Sequence, residues 1–243
     1  MSHPENARVT RVATALMVLV AGCALALAAR PADAAYAPVI DPSRFSTTID
    51  NPYLPLIPGT RMVFLGTGDE TGEKTVVKVM YETVVVAGVE CVVVRDTVTR
   101  DGALIEDTID WYAQDDRGNV WYFGEDTKSY EGGQVSTAGS WTAGIDGAQP
   151  GIVMLARPHV GDSYRQEYYK GIAEDRARVL TLNASASVPY GSFDELLKTR
   201  DFTPLDPESV EHKYYARGIG LVLEVSHGGE TPTHVELVEV SRP

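Results

Sequence analysis

The sequence predicts a mainly β fold: a single antiparallel curved sheet or half-barrel with one short helix, following an N-terminal signal peptide. Three observations carry this. Val77, Val79, Tyr81, Thr83 and Val85 recur with period two, as in a strand with one face buried. Segments rich in β-branched and aromatic residues follow one another at short intervals, divided by turns such as Thr67–Gly72, Ala87-Gly88 and Arg100-Asp-Gly102. No connection among them is long enough for a crossover helix, so neighbours pair antiparallel.

The N-terminus stands apart. Arg8 and Arg11 precede the apolar run Val12 to Ala29, and Ala32-Asp-Ala34 offers a small-x-small cleavage site, the pattern of a secretory signal peptide over residues 1–34. Val20-Ala-Gly-Cys23 also matches a bacterial lipobox, in which Cys23 would be lipidated. The apolar run continues six residues past Cys23, which favours cleavage after Ala34. Both readings export the protein, to the periplasm or outside the cell; membrane contact follows only from a lipidated Cys23. After cleavage at Ala34, Cys91 is the one remaining thiol, set in the buried-strand sequence Val89–Val94 as a small apolar residue.

Residues 35–60 form a Pro-rich arm. Three prolines in Ile49–Gly59 preclude a helix, and Phe45, Ile49, Tyr53, Leu54, Leu56 and Ile57 would pack it onto the body. Residues 61–243 make a single antiparallel β domain, with strands over 61–65, 74–86, 89–99, 103–113 and 120–123. Asp115–Asn119 has turn chemistry, so Gln114 faces Val120 in a hairpin. One face then presents Ile105, Asp107, Ile109, Trp111, Trp121, Phe123 and Glu125, the other Glu106, Asp110, Tyr112, Tyr122 and Asp126. The first is expected to meet the core, bringing Asp107 and Glu125 together; a loop one residue shorter would reshuffle the faces. Residues 124–150, rich in Gly, Ser and Thr, read as a long binding loop or lid anchored by Trp141 and Ile145. Strands resume at 163–170 and 173–182. Ser192–Thr199 carries an N-cap candidate, Glu195 at the capping-box position and a Leu pair, which predicts the short helix. Strands over 210–216, 221–225 and 235–240 close the chain.

At 243 residues and 44% hydrophobic content, the chain can bury one substantial core. Its net charge is −13, and because residues 1–34 hold three Arg and two acids, the remainder carries −14. That argues against nucleic acid, whose phosphates need a basic patch. No nucleophile elbow, zinc-binding helix, phosphate loop, Cys-x-x-Cys pair or dinucleotide fingerprint is present, and no cofactor is implied.

Carboxylates are the remaining chemical resource. Asp107 and Glu125 on one face would make an acid–base pair suited to hydrolysis, with His212 as a partner, because two converging acids in an apolar surround split their pKa values. Asp110, Asp126 and Glu167 could instead gather as oxygen ligands for calcium, although no loop has the spacing of a dedicated calcium site. The aromatics Trp111, Tyr112, Trp121, Tyr122, Tyr168, Tyr169, Tyr214 and Tyr215 come in adjacent pairs. Neighbours on a strand point to opposite faces, so one ring of each pair fills the core while the other lines a ligand-binding surface with a polar tip.

Glu211-His-Lys-Tyr-Tyr-Ala-Arg-Gly-Ile-Gly-Leu-Val222 resembles the closing strand pair of the periplasmic lipoprotein carriers, the LolA- and LppX-like proteins. With Ile49–Gly59 and the Trp-Tyr/Trp-Tyr-Phe hairpin, it also looks like a secreted bacterial family without an assigned activity. The carrier resemblance implies a half-barrel whose concave apolar face holds an acyl chain through its lining and not through a residue signature. Three readings of function remain: an exported module binding a lipid or other apolar ligand, a secreted carboxylate-dependent hydrolase, and a structural or interaction protein of the cell envelope.

Overall fold

The computed structural model describes residues 36–226 and 232–243. The signal peptide, Cys23 and His227 lie outside them. The strands are β1 Phe45–Ser46, β2 Arg61–Gly66, β3 Glu73–Val86, β4 Val89–Arg100, β5 Ala103–Asp115, β6 Val120–Glu131, β7 Gln134–Ser136 and β8 Trp141–Thr142. After these come β9 Gln149–Met154, β10 Ser163–Arg165, β11 Glu167–Tyr168, β12 Arg176–Val188, β13 Gly191–Phe202, β14 Val210–Ala216, β15 Gly220–Ser226 and β16 Thr233–Ser241.

Sequence neighbours pair from β12 to β16 and from β2 to β6, and β16 pairs with β2 to join the two runs. A short segment closes the other side. Residues 163–165 pair with β12, and residues 167–168, one position further on, pair with β9 beyond β6. One antiparallel sheet is thereby rolled almost into a barrel, which removes most of its exposed edge. At this seam Gly151 passes so close to Gln166 that a Cβ would sit 2.4 Å from the Gln166 carbonyl carbon. Only glycine allows that approach.

The 115–119 turn forms as its composition dictates. The Asp115 carboxylate accepts the backbone N–H groups of Arg117 and Asn119, each at 2.9 Å, and the Trp121 indole N–H at 2.9 Å. Gln114 pairs with Val120 as expected. The predicted facing fails two residues later. Tyr112 pairs with Tyr122 but Trp111 pairs with Gly124, so Phe123 is the extra residue of a bulge. Gly124 has φ +128°, and a Cβ there would lie 2.3 Å from the Trp141 carbonyl oxygen. The bulge moves Glu125 to the opposite face, where it stands across from Asp110. The inward face carries the buried Glu106, Thr108, Asp110, Glu125 and Thr127. Asp107, expected inside, lies on the outer face and is held by Arg95 at 2.8 Å.

Two further expectations are corrected. Ser192–Thr199 belongs to strand β13 and is not helical; the helical elements among the described residues are short 3-10 turns at Pro42–Arg44 and Gly68–Glu70. Glu195 adopts φ +53° beside a register irregularity, and Leu196 and Leu197 are both wholly buried in different core clusters. Pairing with β12 and β14, which buries both leucines, overrides the local helical signal. Residues 124–150 are not a free loop either. β6 continues to Glu131, β7 and β8 pair back onto it, and Trp141 is buried while Ile145 is exposed.

In the Pro-rich arm Ile49, Tyr53 and Leu56 are buried, while Ile57, also expected to pack, is exposed. Asn51 fastens it: its side-chain amide donates to the carbonyls of Gly118 and Leu155, and its oxygen accepts the Tyr53 N–H at 2.9 Å. Across the barrel, the Gly218 N–H donates to the Pro52 carbonyl at 2.7 Å. The arm therefore spans from the β5–β6 turn to the β14–β15 turn.

Candidate functional site

Inside the barrel lies a cavity of about 170 Å³. Part of its wall is apolar, supplied by Leu54 and Leu56 of the arm with Met62, Phe64, Val77 and Leu221 of the sheet. Polar groups interrupt it, among them Asp96, Asp110, Tyr112, Gln166, Lys213, Tyr215 and Glu224. Strand alternation explains the mixture. Lys213 and Tyr215 are two apart on β14 and face inward together, as do Asp110 and Tyr112 on β5.

Lys213 is the hub. Its ammonium lies 3.3 Å from Glu211, 3.5 Å from Glu224 and 3.8 Å from Asp201. Burial works against its charge, but the surrounding carboxylates outweigh burial and hold its pKa well above the usual lysine value. Asp201 is further bound by the Thr199 hydroxyl at 2.5 Å and the Gln166 amide at 3.0 Å. Glu224 is 1% exposed and uses Oε2 for Lys213; its Oε1 is buried with no hydrogen-bond partner among the described residues.

A second group of acids occupies the β5–β6 side. Asp110 accepts the Tyr122 hydroxyl at 2.6 Å, and Tyr122 stacks on Tyr112 with ring centres 4.9 Å apart. Glu125 accepts the Thr127 hydroxyl at 2.7 Å, and Glu167 accepts the Trp141 indole N–H at 2.9 Å. Desolvation dominates here. It pushes Asp110 up to about 7 and Glu106 up to about 8, and it raises Glu125 and Glu167 well above the ordinary carboxylate range. Burial, reinforced by Glu211, likewise takes Glu224 up to about 8. The interior holds more carboxyls than cations, and near neutrality part of that excess is kept protonated.

The predicted site residues are only partly brought together. Asp107 and Glu125 sit on opposite faces, and His212, adjacent to Lys213 on its strand, faces the other way. These three do not meet. Asp126 is on the outer face beside Lys128 at 3.2 Å, apart from the inward Asp110 and Glu167. Among the described residues no group of three or more His, Cys, Asp or Glu is arranged to hold a metal ion.

Of the aromatic doublets, Tyr112 and Tyr215 reach the cavity. Their neighbours Trp111 and Tyr214 point outward, Tyr214 beneath the Lys198 ammonium at 4.9 Å. Trp121 packs edge-on against Phe45, and Tyr168 lies under Arg165 at 4.6 Å. Tyr169 bridges to Ala173. Lys213, Glu224 and Asp96 were not anticipated. The available signal was Glu224 inside the apolar run Leu221-Val-Leu-Glu-Val225, since a charge amid strand-core residues must be paired or functional.

Fold and cavity together define a nearly closed antiparallel β-barrel with an acid-rich interior pocket. No protein-family model and no curated protein sequence matches the chain. Two solved structures are similar in shape. A Bacteroides fragilis protein, described as exported and of YmcC-like fold, shares 15% identity at TM-score 0.47, covering 78% of this chain and 99% of its own. A Parabacteroides distasonis protein described as a lipoprotein shares 15% identity at TM-score 0.45, covering 78% of this chain and 98% of its own. Neither is described as a lipoprotein carrier.

Proposed function

We propose that the protein is an exported binding module that holds a small amphipathic ligand inside its barrel. The observation that carries this reading is the cavity, apolar on the side of the arm and polar around Lys213 and Glu224. Pockets with a largely apolar lining and a few convergent polar groups are the usual form of small-ligand sites. Export rests on the Arg-led apolar run and the Ala32-Asp-Ala34 cleavage pattern.

Volume sets the ligand's size. An engineered dry cavity of about 150 Å³ in another protein accepts benzene, whereas drug-sized sites begin near 300 Å³. At about 170 Å³ this cavity suits one ring or a short alkyl group. A long acyl chain, the cargo that the carrier resemblance implies, would need the barrel to widen.

Benzyl alcohol tests the reading as a neutral probe of fitting size. It should raise the melting temperature at millimolar concentration and perturb the NMR signals of Leu54, Val77 and Leu221. A Leu221→Trp variant, filling the cavity, should abolish the effect. If benzyl alcohol neither stabilises the protein nor perturbs those signals, the cavity is not a binding site.

A further inference from the structure

We infer that the ligand is an organic cation, a protonated amine on a compact apolar body, with its charge seated at Glu224 and Asp110. This rests on the binding reading above and names the chemical class that the cavity selects.

The chemistry lining the cavity is lopsided. Among the described residues that line it, Asp110 and Glu224 face one cation, Lys213, and that cation is already shared with Asp201 and Glu211 behind it. A carboxylate-bearing ligand approaching Lys213 would compete with the acids that already hold it and add to this excess of carboxyl groups. An ammonium would relieve it. Glu224 adds an independent indication: it is 1% exposed, it lines the cavity, and its Oε1 has no hydrogen-bond partner among the described residues. A buried acceptor left unmade costs about 1–3 kcal/mol, so natural folds seldom retain one without a use. An N–H donor from the ligand would satisfy it.

The apolar half of the wall selects against a bare metal ion, which prefers an all-oxygen shell. Tyr112 and Tyr215 add ring surface beside the carboxylates, the kind of surrounding that favours alkylammonium groups.

Proton occupancy supplies the coupling. With no cation bound, burial keeps protons on Glu224 and Asp110 close to neutrality, at about 8 and about 7. The groups acting on Glu224 are Lys213 and Glu211 of β14, Asp201 of β13, and Glu70 of the turn between β2 and β3. An entering ammonium takes the place of those protons, so binding releases protons and strengthens as pH rises.

The test compares benzylamine, benzyl alcohol and benzoate by calorimetry on the purified protein at pH 6 and pH 8. Benzylamine should bind at least about tenfold more tightly than benzyl alcohol at pH 8, a gap of about 1.4 kcal/mol. Benzoate should bind most weakly. The benzylamine affinity should rise about tenfold between the two pH values, with heats that depend on the buffer as proton release requires. Glu224→Gln should remove the amine preference, bringing benzylamine and benzyl alcohol to equal affinity, and Asp110→Asn serves the same purpose if the first variant does not fold. Equal binding of alcohol and amine, or preference for benzoate, would overturn the cation assignment and leave the cavity reading standing. Binding of none of the three would overturn both.

Discussion

Tyr122 shows how single residues set the chemistry of the interior. Its hydroxyl donates to Asp110 at 2.6 Å while its ring stacks on Tyr112 and meets Trp141 edge-on. Burial raises the Asp110 carboxyl and the Tyr122 hydroxyl partly offsets that rise. Tyr122→Phe keeps the ring and deletes the donor. It should destabilise the fold by about 1–2 kcal/mol and lift the Asp110 titration further above 7, read by carboxyl-carbon NMR. An unchanged Asp110 titration would show that the hydroxyl does not act on the carboxylate. Residue identities of this kind were partly legible: the Tyr112/Tyr122 pairing follows from the 115–119 turn. The partnership of Lys213 with Glu224 was not, because it depends on β14 and β15 being neighbours, and side-chain pairing across strands is invisible in one sequence.

Elements were read more securely than their faces. The period-two and turn signals placed β2–β5 and β14–β16 within two residues of where they lie, since alternation and turn chemistry are local, whereas β6 and β12 run several residues further than expected. Facing is not local. The one extra residue at Phe123 reverses every side chain that follows on β6, and the reason is the close approach of Gly124 to Trp141, seventeen residues on. The helix expected over Ser192–Thr199 failed for a related reason, its capping pattern losing to burial of Leu196 and Leu197 on two sides. Seam closure is the element-scale feature most open to test. Gly151→Ala places a methyl group against the Gln166 backbone, which cannot swing aside as a side chain would. The variant should lose about 1–3 kcal/mol by overpacking, with hydrogen exchange accelerated in β9, β10 and β11 and little changed in β3–β5. Uniform loss of protection across the sheet would mean that the seam is not a separately weakened unit.

For the whole molecule, the acid-rich interior sets the direction of pH dependence. Glu70, Glu106 and Glu224 titrate near 8, Asp110 near 7 and Asp175 near 6, each raised first by burial. Once unfolded, the same groups return to ordinary values near 4. Between about pH 4.5 and pH 8 the folded chain therefore binds more protons than the unfolded one, and stability falls as pH rises through that window. The net charge of −13 acts in the same direction, since deprotonation adds to self-repulsion. Lys213 does not oppose the trend, because its raised pKa is felt only in the alkaline range. The melting temperature should accordingly be highest near pH 5 and decline toward pH 8. Glu106→Gln removes one of the buried protonation demands. Glu106 is 3% exposed and its carboxyl is displaced from 4.5 to about 8. At 1.36 kcal/mol per pKa unit, the variant should gain on the order of 4 kcal/mol at pH 8 and almost nothing at pH 4.5. Urea denaturation of parent and variant at the two pH values measures this directly. A melting temperature that climbs from pH 5 to pH 8, with Glu106→Gln no better at the higher pH, would mean that the interior carboxylates are ionised and compensated in the folded state.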